Sequence, residues 1–121
     1  MRDANKLRVT EVALDVAELT YLVTRRFPAD ERSGLSLQMR RAAVSIGSNI
    51  AEGCGRFSER QFLSYLSIAM GSASELEFQS RLVARLRYVP DSQLMTLREQ
   101  LTVSRRMLVK LAASVQSRLE R

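Results

Sequence analysis

Eight basic side chains stand where they could hold an anion: Arg40, Arg41, Arg56, Arg60, Arg98, Arg105, Arg106 and Lys110. Only Lys6 and Lys110 are lysines, so nearly all the positive charge is guanidinium. A planar guanidinium can bond two phosphate oxygens at once, which makes the phosphate backbone of RNA or DNA the natural ligand of such clusters. The charge is unevenly spread. Residues 1–31 hold five basic and six acidic side chains, a net of −1, whereas residues 32–60 and 90–121 each carry a net of +3. No aromatic residue is clearly interleaved with the basic clusters, and no helix-turn-helix or RNA-recognition signature is present. Nucleic acid bound here would be read by backbone charge and shape rather than by stacking or base edges.

Other chemistry is poorly served. The 121 residues include no histidine, which removes imidazole bases, Ser-His and Cys-His pairs, and the usual zinc and di-iron ligand sets. Glu52, Glu75 and Glu77 could in principle form a carboxylate-only site, but structural ion pairs explain them better. Glu77 precedes Arg81 by four residues, and Glu52 is within reach of arginines on its own or a neighbouring helix. Cys54 lies between two glycines without an activating base, so it reads as an ordinary small residue; a lone cysteine also fits a reducing compartment. No Walker loop or dinucleotide fingerprint occurs. The expectation is a protein without catalytic residues, metal or cofactor. The start of the chain is broken by Asp15 and Glu18, unlike a secretory signal, and no apolar run approaches the roughly 20 residues of a membrane span. The expected location is the cytoplasm, with no membrane contact.

The elements that carry these residues are all helical. Val9, Val12, Val16, Leu19 and Val23 form one amphipathic stripe, ending near Phe27-Pro28. A loop through Ser33-Gly34 follows, with Ser36 the expected N-cap of a second helix. That helix has Met39, Ala43, Ile46 and Ile50 inside, and Arg41, Ser45, Ser48 and Glu52 on its other face. Gly53-Cys54-Gly55 should end it, glycine taking the left-handed conformation beyond the C-terminus. Ser58 with Gln61 has capping-box spacing and Phe57 with Phe62 that of a hydrophobic staple, opening a third helix. Its stripe is Phe62, Leu66, Ala69, Ala73, Leu76, Ser80 and Val83, ending near Tyr88-Val89-Pro90. Asp91 is placed to cap a fourth helix with the seam Leu94, Leu97, Leu101, Ser104, Leu108, Leu111 and Val115. Nothing reads as a strand, a repeat or a linker. The expected fold is all-α: one domain, an antiparallel up-down four-helix bundle over residues 1–121.

Two features point toward assembly. Glu11, Asp15 and Glu18 line one side of the first helix, and a neighbouring subunit could present Arg98 and Arg105, one heptad apart, to that stripe. Gly47 and Gly71 sit inside helices at a cost of up to about 1 kcal/mol each relative to alanine. Close approach of backbones, within the bundle or between subunits, is the reason expected for keeping them. The arginines therefore admit two readings, nucleic-acid contact and protein–protein assembly.

The run Gln38-x-Arg40-Arg41-Ala42-Ala43-Val44-Ser45-Ile46-Gly47-Ser48-Asn49-Ile50-Ala51-Glu52-Gly53 closely resembles the signature of the bacterial four-helix bundle proteins, also called 23S rRNA intervening-sequence proteins. The resemblance continues through Gly55-Arg56, Phe62-Leu63, Ile68-Ala69-x-Gly71-Ser72-x-Ser74-Glu75-Leu76-Glu77 and Arg106-Met107-Leu108. Gly47 stands where many relatives have proline, and a local kink or loosened turn is expected there. The resemblance implies a helical bundle assembling as a ring-like homopentamer, similar in architecture to the basic accessory variability protein of diversity-generating retroelements. That more distant relative looks like a basic pentamer that associates with a nucleic-acid enzyme, a reverse transcriptase, and with nucleic acid. It also implies that Ser45, Asn49, Glu52, Gly53, Gly71 and Glu75 are structural, with Asn49 and Glu52 satisfying backbone groups at the helix end and loop.

Overall fold

The computed structural model describes residues 2–121. Four helices follow one another: α1 (Arg2–Thr24), α2 (Leu35–Cys54), α3 (Glu59–Leu86) and α4 (Asp91–Leu119), with a short 3-10 turn at Ala29–Glu31 between the first two. Among the described residues there is no strand. Each helix packs against the next, and α1 closes the bundle on α4; α1 and α3, like α2 and α4, lie across the core from each other without close backbone approach.

Mainly apolar residues at steps of three and four make α3 and α4 bury the stripes their spacing predicts. Every named seam residue from Phe62 to Val83 and from Leu94 to Val115 is inside. α2 buries Met39, Ala43, Ile46 and Ile50 as expected, together with Leu35, Ser36, Ala42 and Gly53. In α1 the stripe is rotated: Ala13 and Thr20 occupy core positions, while Val12 and Leu19 are only half-buried. The buried hydroxyls are satisfied on their own helices. Thr20 Oγ1 donates to the Val16 carbonyl at 2.7 Å, Ser80 to Glu77 at 2.9 Å and Ser104 to Leu101 at 2.8 Å. These bonds let a polar residue stand on an apolar seam without an orphaned group.

Several expected helix ends are built differently. α2 begins one residue before Ser36, which is buried; the cap comes from Glu31, whose Oε1 accepts the Leu35 N–H at 3.0 Å. Gly34 leaves room for that carboxylate, since a Cβ there would lie 2.7 Å from it. Asp91 is the first residue of α4 rather than its cap, the capping position being Pro90. A carboxylate in a first turn still faces the positive end of the helix dipole. Neither Gly53 nor Gly55 is left-handed. Gly53 lies inside α2, and Gly55 caps it at φ −81°. Among the described residues the left-handed C-cap is Arg87, at φ 57°, after α3. α2 runs through Gly47 as unbroken helix, in place of the expected loosened turn.

Candidate functional site

Four of the five basic residues of α4 reach the surface between Arg98 and Lys110, and the fifth, Arg118, is held by Glu59 of α3. Arg98, Arg106 and Lys110 are exposed, and Arg105 is half-buried, with Nη2 3.4 Å from Ser74 Oγ on α3. Steps of seven from Arg98 to Arg105 and four from Arg106 to Lys110 hold these side chains along about three turns. Thr102, Arg105, Arg106, Val109 and Lys110 line one shallow recess, and Asn5, Arg8, Met107, Lys110, Leu111 and Ser114 line a second. Lys110 is common to both, so Arg8 of α1 joins the α4 set in a continuous basic band. No acidic side chain lines either recess among the described residues. Nothing in the sequence pattern of either helix points to Arg8, because it belongs to the band only once α1 packs on α4.

The other candidate arginines are elsewhere. Arg40 and Arg41 stand on α2, which makes no close backbone approach to α4, and neither lines the α4 recesses. Arg40 is half-buried and serves the fold: Nε donates to Thr24 Oγ1 at 2.9 Å, and the guanidinium lies 4.4 Å from the Tyr21 ring centre. Arg41 is exposed. Arg56 is tied down on the α2–α3 linker, donating to Glu52 Oε2 at 2.7 Å and to Tyr65 Oη at 2.9 Å. Arg60, one position into α3, is exposed. The positive charge of the two helices is thus several patches, and the α4 recess brings three candidates together, Arg105, Arg106 and Lys110, with Arg98 apart in a recess it shares with Asp91 and Glu99.

The motif residues gather along the seam between α2 and α3. Ser45 Oγ and Ser72 Oγ are 2.8 Å apart, and Asn49 Nδ2 donates to the Ser45 carbonyl at 2.8 Å and to Ser45 Oγ at 3.0 Å. Asn49 therefore bonds inside α2, and Glu52 bonds the Arg56 guanidinium. The backbone groups at the helix end and loop, the partners expected for both, are not the ones they meet, because the helix continues past them to Cys54. Glu75 Oε2 accepts from Gln79 Nε2 at 3.4 Å, and the Gln79 Oε1 atom is buried without a partner. Glu77 makes no ion pair with Arg81; its backbone carbonyl accepts from Ser80 Oγ. Gly53 is buried where a Cβ would lie 2.9 Å from both Phe62 Cδ1 and Tyr65 Cβ, so the close approach of α2 and α3 depends on it. At Gly47 a Cβ would make an ordinary 3.6 Å contact with Ala13. At Gly71 it would meet nothing within 4 Å, so packing within the bundle does not explain that glycine.

Two surface features escape a reading by periodicity. Phe57 is fully exposed at 105%, so the staple with Phe62 is not made; Phe62 is instead buried beneath Lys6, whose Nζ lies 4.7 Å from its ring centre. On the outer side of α1, Leu7, Leu14, Tyr21 and Leu22 are exposed beside Glu11, Asp15 and Glu18. Among the described residues no helix is long and apolar enough to cross a membrane, and no cluster of three or more acidic or cysteine side chains is placed to hold a metal.

The fold is shared with a solved structure. A protein of unknown function from the S23 ribosomal protein family of Bacteroides thetaiotaomicron superposes with a TM-score of 0.81 at 24% identity, covering 90% of this chain and 98% of that one. No curated protein has a matching sequence. Residues 5–110, which hold the α2 motif, the α2–α3 seam and the whole α4 basic band, match the family described as 23S rRNA-intervening sequence protein. The chain therefore belongs to the 23S rRNA-intervening sequence protein family.

Proposed function

We propose that this protein is a non-enzymatic, homo-oligomeric scaffold of the cytoplasm that binds RNA or DNA by phosphate contacts from its arginine clusters. The observation that carries this reading is the acid-free basic band of Arg105, Arg106, Lys110 and Arg8; Arg98 stands one turn away, in a recess it shares with Asp91 and Glu99. Among the described residues no carboxylate lines these two recesses, so a phosphate entering them meets uncompensated positive charge. The up-down, antiparallel order of the bundle is supported by contacts at its ends: Arg118 near the end of α4 bonds Glu59 at the start of α3, and Arg40 near the start of α2 bonds Thr24 at the end of α1. A ring such as the pentamer implied by the family resemblance would multiply the basic band by the number of copies, and a nucleic-acid enzyme is the kind of protein partner it would serve. Binding of short RNA and DNA across a salt series tests the reading. Affinity should fall steeply with salt; binding that is absent at low salt, or indifferent to it, contradicts it.

A second reading is favoured by the outer side of α1. Apolar Leu7, Leu14, Tyr21 and Leu22 beside Glu11, Asp15 and Glu18 suit a neighbouring subunit presenting Arg98 and Arg105. On that reading the protein is an adaptor whose arginines serve subunit or partner contacts, with no nucleic-acid role. Replacing Arg98 and Arg105 by alanine then lowers the assembly mass in light scattering. On the first reading the mass is kept and nucleic-acid affinity falls.

A further inference from the structure

We propose that Phe57 is a stacking platform for an unpaired base, which makes single-stranded nucleic acid the preferred ligand of the α2–α3 linker. This inference rests on the nucleic-acid reading above and adds the class of strand. The ring contributes nothing to the bundle: it is fully exposed, and the partner its position suggests, Phe62, is buried elsewhere. An aromatic side chain left wholly in water forgoes the burial that normally justifies its presence in a fold.

The linker holds the backbone on both sides of the ring rather than letting it trail. On one side Arg56 is anchored by Glu52 and Tyr65, with its guanidinium 5.1 Å from the Tyr65 ring centre and its backbone N–H bonded to the Gly53 carbonyl at 3.1 Å. On the other side Ser58 Oγ accepts the Gln61 N–H at 3.3 Å and opens α3. Three residues beyond Phe57, Arg60 stands exposed, the cation offered to the phosphate of a nucleotide whose base lies on the ring. The nearby carboxylate of Glu59 is engaged by Arg118 Nε at 2.5 Å, which offsets its repulsion of a phosphate.

The surroundings favour a base over an apolar protein surface. Between Gly55 and Gln61 the only apolar side chain is Phe57, and the others are arginine, serine, glutamate and glutamine. A protein partner would need a patch; one flat ring with the exposed Arg60 nearby in the chain matches one base and its phosphate. Base faces are open in a single strand and covered by their neighbours in a duplex, so the ring distinguishes the two.

The sequence contains no tryptophan, so Phe57→Trp places a single reporter at this position. Its emission should be quenched by short oligo(dT) and oligo(U), and should stay unchanged when a blunt DNA duplex or heparin binds. Phe57→Ala should weaken single-strand binding about tenfold while leaving duplex affinity and assembly mass as in the wild type. Strands that bind without quenching, with Phe57→Ala indistinguishable from wild type, overturn the platform and leave the nucleic-acid reading standing. A protein that binds no nucleic acid at any salt overturns both. A lower assembly mass for Phe57→Ala, with strand binding kept, makes Phe57 a subunit contact and also overturns the platform.

Discussion

Tyr88 Oη donates to Glu31 Oε2 at 2.7 Å, joining two loops 57 residues apart in the chain. The other oxygen of the same carboxylate caps α2 through the Leu35 N–H. The Tyr88 ring also packs on Phe27, with ring centres 5.3 Å apart. One carboxylate therefore fixes the start of α2 relative to the end of α3, and so sets how the α2–α3 seam with Ser45, Asn49 and Glu75 begins.

That pairing has a pH signature. The Tyr88 hydroxyl, then the Leu35 N–H, hold the Glu31 carboxyl below its ordinary value, and the same carboxylate raises the Tyr88 phenol. For the depressed acid, the stabilisation is present above the ordinary carboxylate value of about 4.3 and is lost as pH falls through the lower folded value. For the raised phenol, it is present below about 10 and is lost as pH rises toward the higher folded value. Tyr88→Phe should lower the thermal midpoint by a few degrees at neutral pH, and the gap to wild type should narrow in acid. Circular-dichroism melts across pH check this; a gap that stays constant into acid contradicts the pairing.

Gly53 and Gly71 should respond oppositely to alanine. Gly53→Ala forces a methyl group against Phe62 and Tyr65 and should cost about 1–3 kcal/mol, the usual range for overpacking. Gly71→Ala meets open space and should stabilise the monomer fold by up to about 1 kcal/mol through helix propensity. Urea denaturation of both variants measures the difference. A neutral Gly53→Ala would mean the α2–α3 seam is looser than its geometry.

Arg87 holds the left-handed position that glycine usually fills after a helix. Arg87→Gly should therefore raise stability by about 0.5–1 kcal/mol, because glycine enters this region without the steric cost an arginine bears. The same denaturation experiment reads the sign, and a loss of stability would show that the Arg87 side chain contributes more than its backbone strain removes.

What the sequence reveals depends on residue size and on which elements meet. The seams of α3 and α4 are legible because leucines, alanines and valines recur at steps of three and four without a slip. The α1 stripe is less so: a buried threonine such as Thr20 looks polar in the sequence, yet it hides its hydroxyl on the Val16 carbonyl and packs as an apolar residue. Caps supplied from a preceding turn, such as Glu31 for α2, leave no local motif. Charge can be assigned to a helix from sequence but not to a shared surface. Arg40 and Arg106 look equivalent in a count, yet one braces α1 against α2 and the other stands free in an acid-free recess on α4. Phe57 is concealed for the opposite reason, because its spacing to Phe62 is that of a staple the chain does not form.

That contrast between Arg40 and the α4 band gives the most direct test of phosphate binding. The salt dependence of duplex DNA affinity should be measured for wild type, Arg40→Ala, and Arg106→Ala combined with Lys110→Ala. The log–log slope should become shallower by about 0.9 for each band cation that sat on a phosphate, with weakening alike for all sequences, while Arg40→Ala keeps the wild-type slope and loses only stability. A band variant whose slope and affinity match the wild type would contradict the account.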